Sequence, residues 1–291
     1  MTKQNVALVL SGGGARGLAH IGVIEELLAQ NYNITSIAGT SMGSMVGAFY
    51  AMNKLQEFKE WMYTIDKRKT FQLVDFSFGN QGLIKGERVI NAMKEIIPDI
   101  NIENMNIPYS ATATDIISKK EVVFTSGSVY EAIRASIAIP SVITPVKTES
   151  GLLVDGGVVN NIPIDNVKRI KDDILIAVDV NANVPSIKPA ITKKEALKKY
   201  TIYQNKLKSF HQHLKKINPL HHEDRMNYFN LINQTISLMM HQMSELHLEK
   251  HSVDLLINIS RDTCSTFDFF KAEEIVETGR YITSEQLITL K

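Results

Sequence analysis

Between residues 6 and 180 short β-branched runs alternate with longer stretches of helical periodicity. A strand followed by a helix and then by another strand needs a crossover, so a chain written this way builds a doubly wound, mainly parallel α/β sheet flanked by helices. The runs predict strands over 6–10, 34–38, 109–114, 121–124, 152–154 and 174–180. Helices are expected over 19–30, with Ile21, Ile24, Leu27 and Leu28 on one face, then up to Met52, around Trp61, and over 87–97 and 129–136. Residues 71–86 carry glycines without periodicity and are expected to form an irregular flap near a site. With 291 residues, 44% of them hydrophobic, there is enough material for one large globular domain.

The composition changes after Asn181. Pro185 and Pro189 mark a linker, and residues 188–216 hold nine lysines against one acid, Glu195. Such a run is either a solvated helix face or a patch for an anionic membrane surface, with Ile202, Leu207, Phe210 and Leu214 as apolar anchors. Farther on, Ile232, Ile236, Met239, Met240, Met243 and Leu246 recur at helical spacing, which predicts an amphipathic helix over 224–246 with one stripe buried in the core. A late strand over 255–259 and a closing helix from Lys271 follow.

A net charge of +1 provides no global field for nucleic acid, and none is expected as a partner. The single cysteine, Cys264, permits no internal disulfide and no multi-thiolate metal site. The first ten residues are too short an apolar run for a signal segment, so the expected location is cytoplasmic, with room for peripheral contact at the inner face of the membrane. The oligomeric state is left open.

Two glycine-bearing motifs sit at strand tips. Residues 12–17 have the G-x-G-x-x-G spacing of a dinucleotide loop. That chemistry requires an acid at the second strand tip, about twenty residues on, to hold the ribose. Here the tip reads Ala38, Gly39, Thr40, Ser41, and Glu25 and Glu26 lie mid-helix, so no nucleotide cofactor is expected. The second tip, residues 39–43, is instead a G-x-S-x-G turn between a strand and a helix, the context of a nucleophile elbow. Its alternative is a serine that caps the helix. With the first two strands adjacent, the N–H groups of Gly12, Gly13 and Gly14 converge beside Ser41 as an oxyanion hole. Arg16 either braces that loop, meets an anionic substrate group, or lies on the surface.

Seven of the eight histidines fall between His211 and His251; the other, His20, is expected to pack against Ile24. The base candidate is therefore Asp155, at the end of an apolar run, acting on Ser41 directly and strengthened by partial desolvation.

Four blocks resemble the patatin-like phospholipase family, close to its small bacterial members: residues 11–22 around the glycine loop, 39–43, 134–140 from Arg134 to Pro140, and 155–163 from Asp155 to Pro163. The resemblance covers residues 6–169. It implies a Ser41–Asp155 dyad that hydrolyses acyl esters of phospholipids and related lipids without metal or cofactor. By their match to the family motifs, Gly17, Gly39, Gly43, Gly156, Gly157 and Asn161 shape or support the loops around the site. Many relatives have Asp where this chain has Ser11, a change that leaves the glycine N–H donors intact. A lipid acyltransferase and a membrane-associated regulatory module with an unused site are the rival readings. Residues 6–169 are expected to be the catalytic core, with 170–291 adding the last sheet strand, a basic helical segment over 188–250 and the closing elements of the same domain.

Overall fold

The computed structural model describes residues 3–73, 75, 84–149, 151–187 and 228–290. One sheet is formed by β1 (Gln4–Leu10), β2 (Tyr32–Thr40), β3 (Tyr109–Asp115), β4 (Lys120–Phe124), β5 (Val146–Lys147), β6 (Leu152–Asp155), β7 (Ile174–Ala182) and β8 (Leu255–Ser260). Its order is β5-β6-β3-β2-β1-β7-β8, with β4 paired to β3 off that path. The pairs from β3 through β2, β1 and β7 to β8 are parallel, whereas β4, β5 and β6 add an antiparallel edge.

Covered on both faces, the central strands are buried along most of their length: β1 and β7 are mainly apolar, while β2 and β3 bury small polar side chains such as Ser36, Ser110 and Thr112. Within them the side chains still alternate by size. Val6, Leu8 and Leu10 of β1 and Ile176, Val178 and Val180 of β7 enter the larger core, while Ala7, Val9, Leu175 and Ala177 face a smaller one. Helices α1 (Ala19–Ala29), α2 (Met42–Ala51) and α3 (Leu55–Tyr63) contribute to the larger core, where Phe49 and Phe58 stack with ring centroids 4.4 Å apart. The smaller core is closed by Ile162, Ile164 and Val167 and by Leu248.

The remaining helices are α4 (Lys67–Leu73), α5 (Glu87–Ile96), α6 (Val129–Ser136), α7 (Tyr228–Lys250) and α8 (Ala272–Gln286). The chain divides into two compact units, 1–187 with 236–291, and 188–235. The second is described only from Tyr228, where α7 begins, and α7 from Ile236 onward belongs to the first.

Three expectations need correction. The start of the expected flap is helical, since α4 extends to Leu73. Farther along, the buried Asp75 carboxylate accepts the N–H groups of Gly86, Glu87 and Arg88, capping α5 from outside the helix. Residues 74 and 76–83 of that segment, and 224–227 of the expected long helix, lie outside the described residues, as does the whole lysine-rich run 188–216. On α1, Leu28 is exposed and Val23 buried, because α8 packs along α1 and covers a second side of it.

The largest departure is on α7. Met239, Met243 and Leu246, expected in the core, are 62%, 44% and 51% exposed. Ile236 and Met240 of the expected stripe are half-buried, and Ser244, His247 and Leu248 complete the inward face. Periodicity identified the helix and part of its inner side, which Leu248 extends into the smaller core.

Candidate active site

β1 and β2 run in a register that pairs Leu10 with Gly39, so the two glycine-bearing tips emerge side by side. The last residue of β2, Thr40, pairs with Thr112 of β3, and the last residue of β6, Asp155, pairs with Ala113. Adjacent positions of one strand thus hold the ends from which Ser41 and Asp155 project.

Ser41 is 4% exposed and has φ 52° and ψ −122°. A non-glycine residue there carries strain of about 1–3 kcal/mol and persists only where its surroundings enforce it. They do so here. The Ser41 N–H donates to Ser136 Oγ at 2.8 Å, and that hydroxyl donates to the Thr112 carbonyl at 2.6 Å. The Ser41 carbonyl accepts from Met45 N–H at 3.1 Å and from Ser44 Oγ at 2.7 Å. A side chain at Gly43 would put a carbon 2.3 Å from the Leu10 carbonyl oxygen, which is why the turn closes only on glycine. Ser41 stands at the N-cap of α2 but its side chain makes no capping hydrogen bond. The hydroxyl instead neighbours the Asp155 carboxylate and favours its charged form.

Asp155 is 2% exposed. Its N–H donates to the Ala138 carbonyl at 2.9 Å, and its Oδ1 accepts the Gly157 N–H at 2.8 Å. Burial pushes its carboxyl up to about 6, against the lowering effect of Ser41 and of the bond from Gly157. It is therefore ionised at neutral pH yet far more basic than a solvated aspartate.

The glycine loop is anchored on several sides. Ser11 N–H donates to the Val178 carbonyl at 3.1 Å, and Ser11 Oγ accepts from Val180 N–H at 3.0 Å. The serine supplies one acceptor to β7. Of the three expected oxyanion donors, the Gly12 N–H is bonded to the Asn161 carbonyl at 3.2 Å, a partner that periodicity could not foresee. Among the described residues no acceptor meets the N–H groups of Gly13 and Gly14. Gly14 has φ +58°, and a Cβ there would lie 2.5 Å from the Thr266 carbonyl oxygen.

Arg16 braces the loop. Its guanidinium donates to Asn181 Oδ1 at 2.9 Å and to the Cys264 carbonyl at 3.3 Å, while Asn181 Nδ2 donates to the Gly12 carbonyl at 2.7 Å. His20 is fully buried, and desolvation pushes it down to about 4, so the ring is neutral. Its Nε2 lies 2.8 Å from the Ser11 carbonyl, which can only accept, and so carries the proton.

The other motif residues line the same region. Gly17 faces Met42, Gly39 faces the backbone of Gly43 and Ser44, and Gly156 faces the Thr112 carbonyl. Gly157 lies between Met240 and Asp155. Asn161 is 4% exposed, and its Oδ1 has no hydrogen-bond partner. The sequence reading missed Ser136 and Asn181, which hold Ser41 and Gly12. Ser136 lies within the family block 134–140, and Asn181 only near the polar end of the run 174–182.

A family profile described as patatin-like phospholipase matches residues 8–168. An uncharacterized NTE family protein of Mycobacterium tuberculosis is 31% identical over 98% of this chain and 92% of its own length. Patatin-like phospholipase domain-containing protein 6 of Mus musculus is 26% identical over 96% of this chain, which spans 20% of that protein. A lysophospholipase of Aspergillus fumigatus is 31% identical over 62% of this chain and 12% of its own. VipD from Legionella pneumophila shares the fold, with a TM-score of 0.50 at 13% identity over 99% of this chain and 67% of that one.

Proposed function

The chain belongs to the patatin-like phospholipase family and is a lipid esterase or hydrolase, and on that premise we propose that Ser41 is its nucleophile and Asp155 its only general base. Ser41 Oγ attacks the ester carbonyl of a phospholipid or lysophospholipid while its proton passes to Asp155. The carbonyl oxygen, now negative, is met by the Gly13 and Gly14 N–H groups. Collapse expels the alcohol, which takes the proton from Asp155, and leaves acyl-Ser41. Water then attacks the acyl group, giving its proton to Asp155, and the fatty acid departs as Ser41 is reprotonated.

The observation that carries this reading is the strained, buried Ser41 beside a desolvated Asp155 without a histidine between them. His20 supports it by exclusion, since its ring is committed to the Ser11 carbonyl. Incubation with a mixed lipid extract and mass spectrometry of the products tests it. Wild type should release fatty acid and the matching lyso- or glycerophospho-product, and Ser41→Ala should release neither. Release by Ser41→Ala would refute the assignment.

Among the described residues no helix is long and apolar enough to cross a membrane. We propose that the enzyme reaches its insoluble substrate by peripheral contact with anionic lipid. The nine lysines of residues 188–216 support this, as do the exposed Leu238, Met239, Met243 and Leu246 of α7.

A further inference from the structure

His247 lies in the last turn of α7 and His251 directly follows its end, and their rings stack with centroids 4.4 Å apart. Both face Asp165, in the short turn Ile164–Asn166 that follows the Asp155 loop. The Nε2 of His251 lies 2.8 Å from Asp165 Oδ1, and the Nε2 of His247 lies 3.6 Å from Oδ2.

The hydrogen bonds around His251 do not balance with a neutral ring. Its Nδ1 is 2.7 Å from the His247 carbonyl, which can only accept, so Nδ1 carries the hydrogen. That leaves a lone pair on Nε2 pointing at a carboxylate oxygen, another acceptor. A second proton would satisfy this one contact. It would do nothing for His247, whose Nε2 is buried with no hydrogen-bond partner. A single cation between the three groups satisfies both rings and the carboxylate together.

We propose that Asp165, His247 and His251 form a binding site for a divalent metal of the zinc class. Their ligand atoms all lie within 4.8 Å of one another. A tetrahedral site with bonds of about 2.0–2.1 Å places ligand atoms about 3.3 Å apart, a small adjustment for side chains at a helix surface. Two imidazoles and one carboxylate suit zinc and disfavour magnesium and calcium, which prefer oxygen ligands. Three protein ligands leave the fourth position to water. The Nδ1–H bond from His251 to the His247 carbonyl is the outer contact that fixes a metal-bound imidazole. Glu121 adds negative charge on the same side, held by Asn160 and Asn166 amides at 2.9 and 2.7 Å, while Lys250 opposes it.

The consequence is mechanical. The metal ties the end of α7 to the turn that follows Asp155, and the same helix places Met240 beside Gly157. It would act as a clip that holds α7 against the Asp155 loop, outside the chemistry at Ser41.

The test is competition for Zn²⁺ between the full chain and a chromophoric chelator, with Mg²⁺ as control. Wild type should hold one equivalent that His247→Ala, His251→Ala and Asp165→Asn each yield. Affinity should fall by more than about 100-fold, because losing merely an outer partner of a ligand costs 10–100-fold. X-ray absorption of wild type with one equivalent should show two imidazole ligands, and this readout does not depend on how the variants fold. Uptake identical in wild type and all three variants would assign the zinc to other histidines, such as His221 and His222, and overturn the proposal. No zinc uptake by wild type would overturn it too, leaving a proton between His251 and Asp165.

Discussion

The strand tips around Ser41 and the outer side of α7 invert the usual arrangement in opposite ways. At the tips, polar residues are buried: Ser11, Thr40, Ser41, Asp155 and Asn161 are all at most 4% exposed. On α7, apolar residues face outward, with Leu238 and Met239 more than 60% exposed. Buried polar groups cost free energy unless each finds a partner, and at the tips nearly every one does, through backbone that the sheet register delivers. Exposed apolar side chains cost little when scattered and draw partners when contiguous. The first inversion is thus enforced from within the fold, the second from outside it. The proposed chemistry falls on the first, the proposed lipid contact on the second.

That comparison can be broken by showing that the tips carry no stored cost. Asp155→Asn should remove one. The folded carboxyl lies near 6 against an ordinary 3.8, so burying its charge costs nothing below pH 3.8 and progressively more as pH rises through 6. The variant should therefore be more stable than wild type by roughly 3 kcal/mol at pH 8, with the gain gone by pH 4. Denaturant melts at the two pH values measure it. A destabilised variant at pH 8 would mean that Asp155 is an ordinary structural acceptor.

A smaller effect is expected one step back from the nucleophile. Ser136→Ala removes the acceptor of the Ser41 N–H and the donor to Thr112. Leaving those buried groups unpaired should cost about 1–3 kcal/mol of stability. Turnover should fall as well, because the turn that aims Ser41 loses its brace. Ser136→Thr, which keeps a hydroxyl, should recover part of both. Unchanged turnover in a folded Ser136→Ala variant would show that the strained turn holds itself.

The smallest effect belongs to α7. Met239→Ser should change stability by less than about 0.5 kcal/mol, as expected of a surface substitution. It should lower cosedimentation with phosphatidylglycerol vesicles while leaving hydrolysis of a soluble short-chain ester as it was. A stability loss as large as that of Ser136→Ala would place Met239 in the core after all, and erase the contrast.

The same contrast explains what could be read from the sequence. Strands β1 and β7 were legible because both-face burial leaves largely apolar runs, and Ser41 and Asp155 because their motifs sit at run ends. What escaped depends on partners far along the chain. The Gly12 N–H is taken by Asn161, Asn181 reaches back to Gly12, and Asp75 caps α5 from outside it. On α7 the apolar repeat was only partly inward: Ile236 and Met240 are half-buried, whereas Met239, Met243 and Leu246 face outward and His247 turns toward Asp165. Spacing reports which residues share a face. It does not report what that face meets.

The claim at the centre is that Ser41 and Asp155 act as a pair with no histidine relay. Labelling by a fluorophosphonate, followed as a rate over pH 4 to 9, tests both members at once. Wild type should label on Ser41 alone, with a rate that rises with pH through a single midpoint near 6, where the Asp155 carboxyl ionises. Asp155→Asn should label at least ~10²-fold more slowly and lose that midpoint. Labelling of another residue, or a midpoint near 6 that survives Asp155→Asn, would contradict the pair.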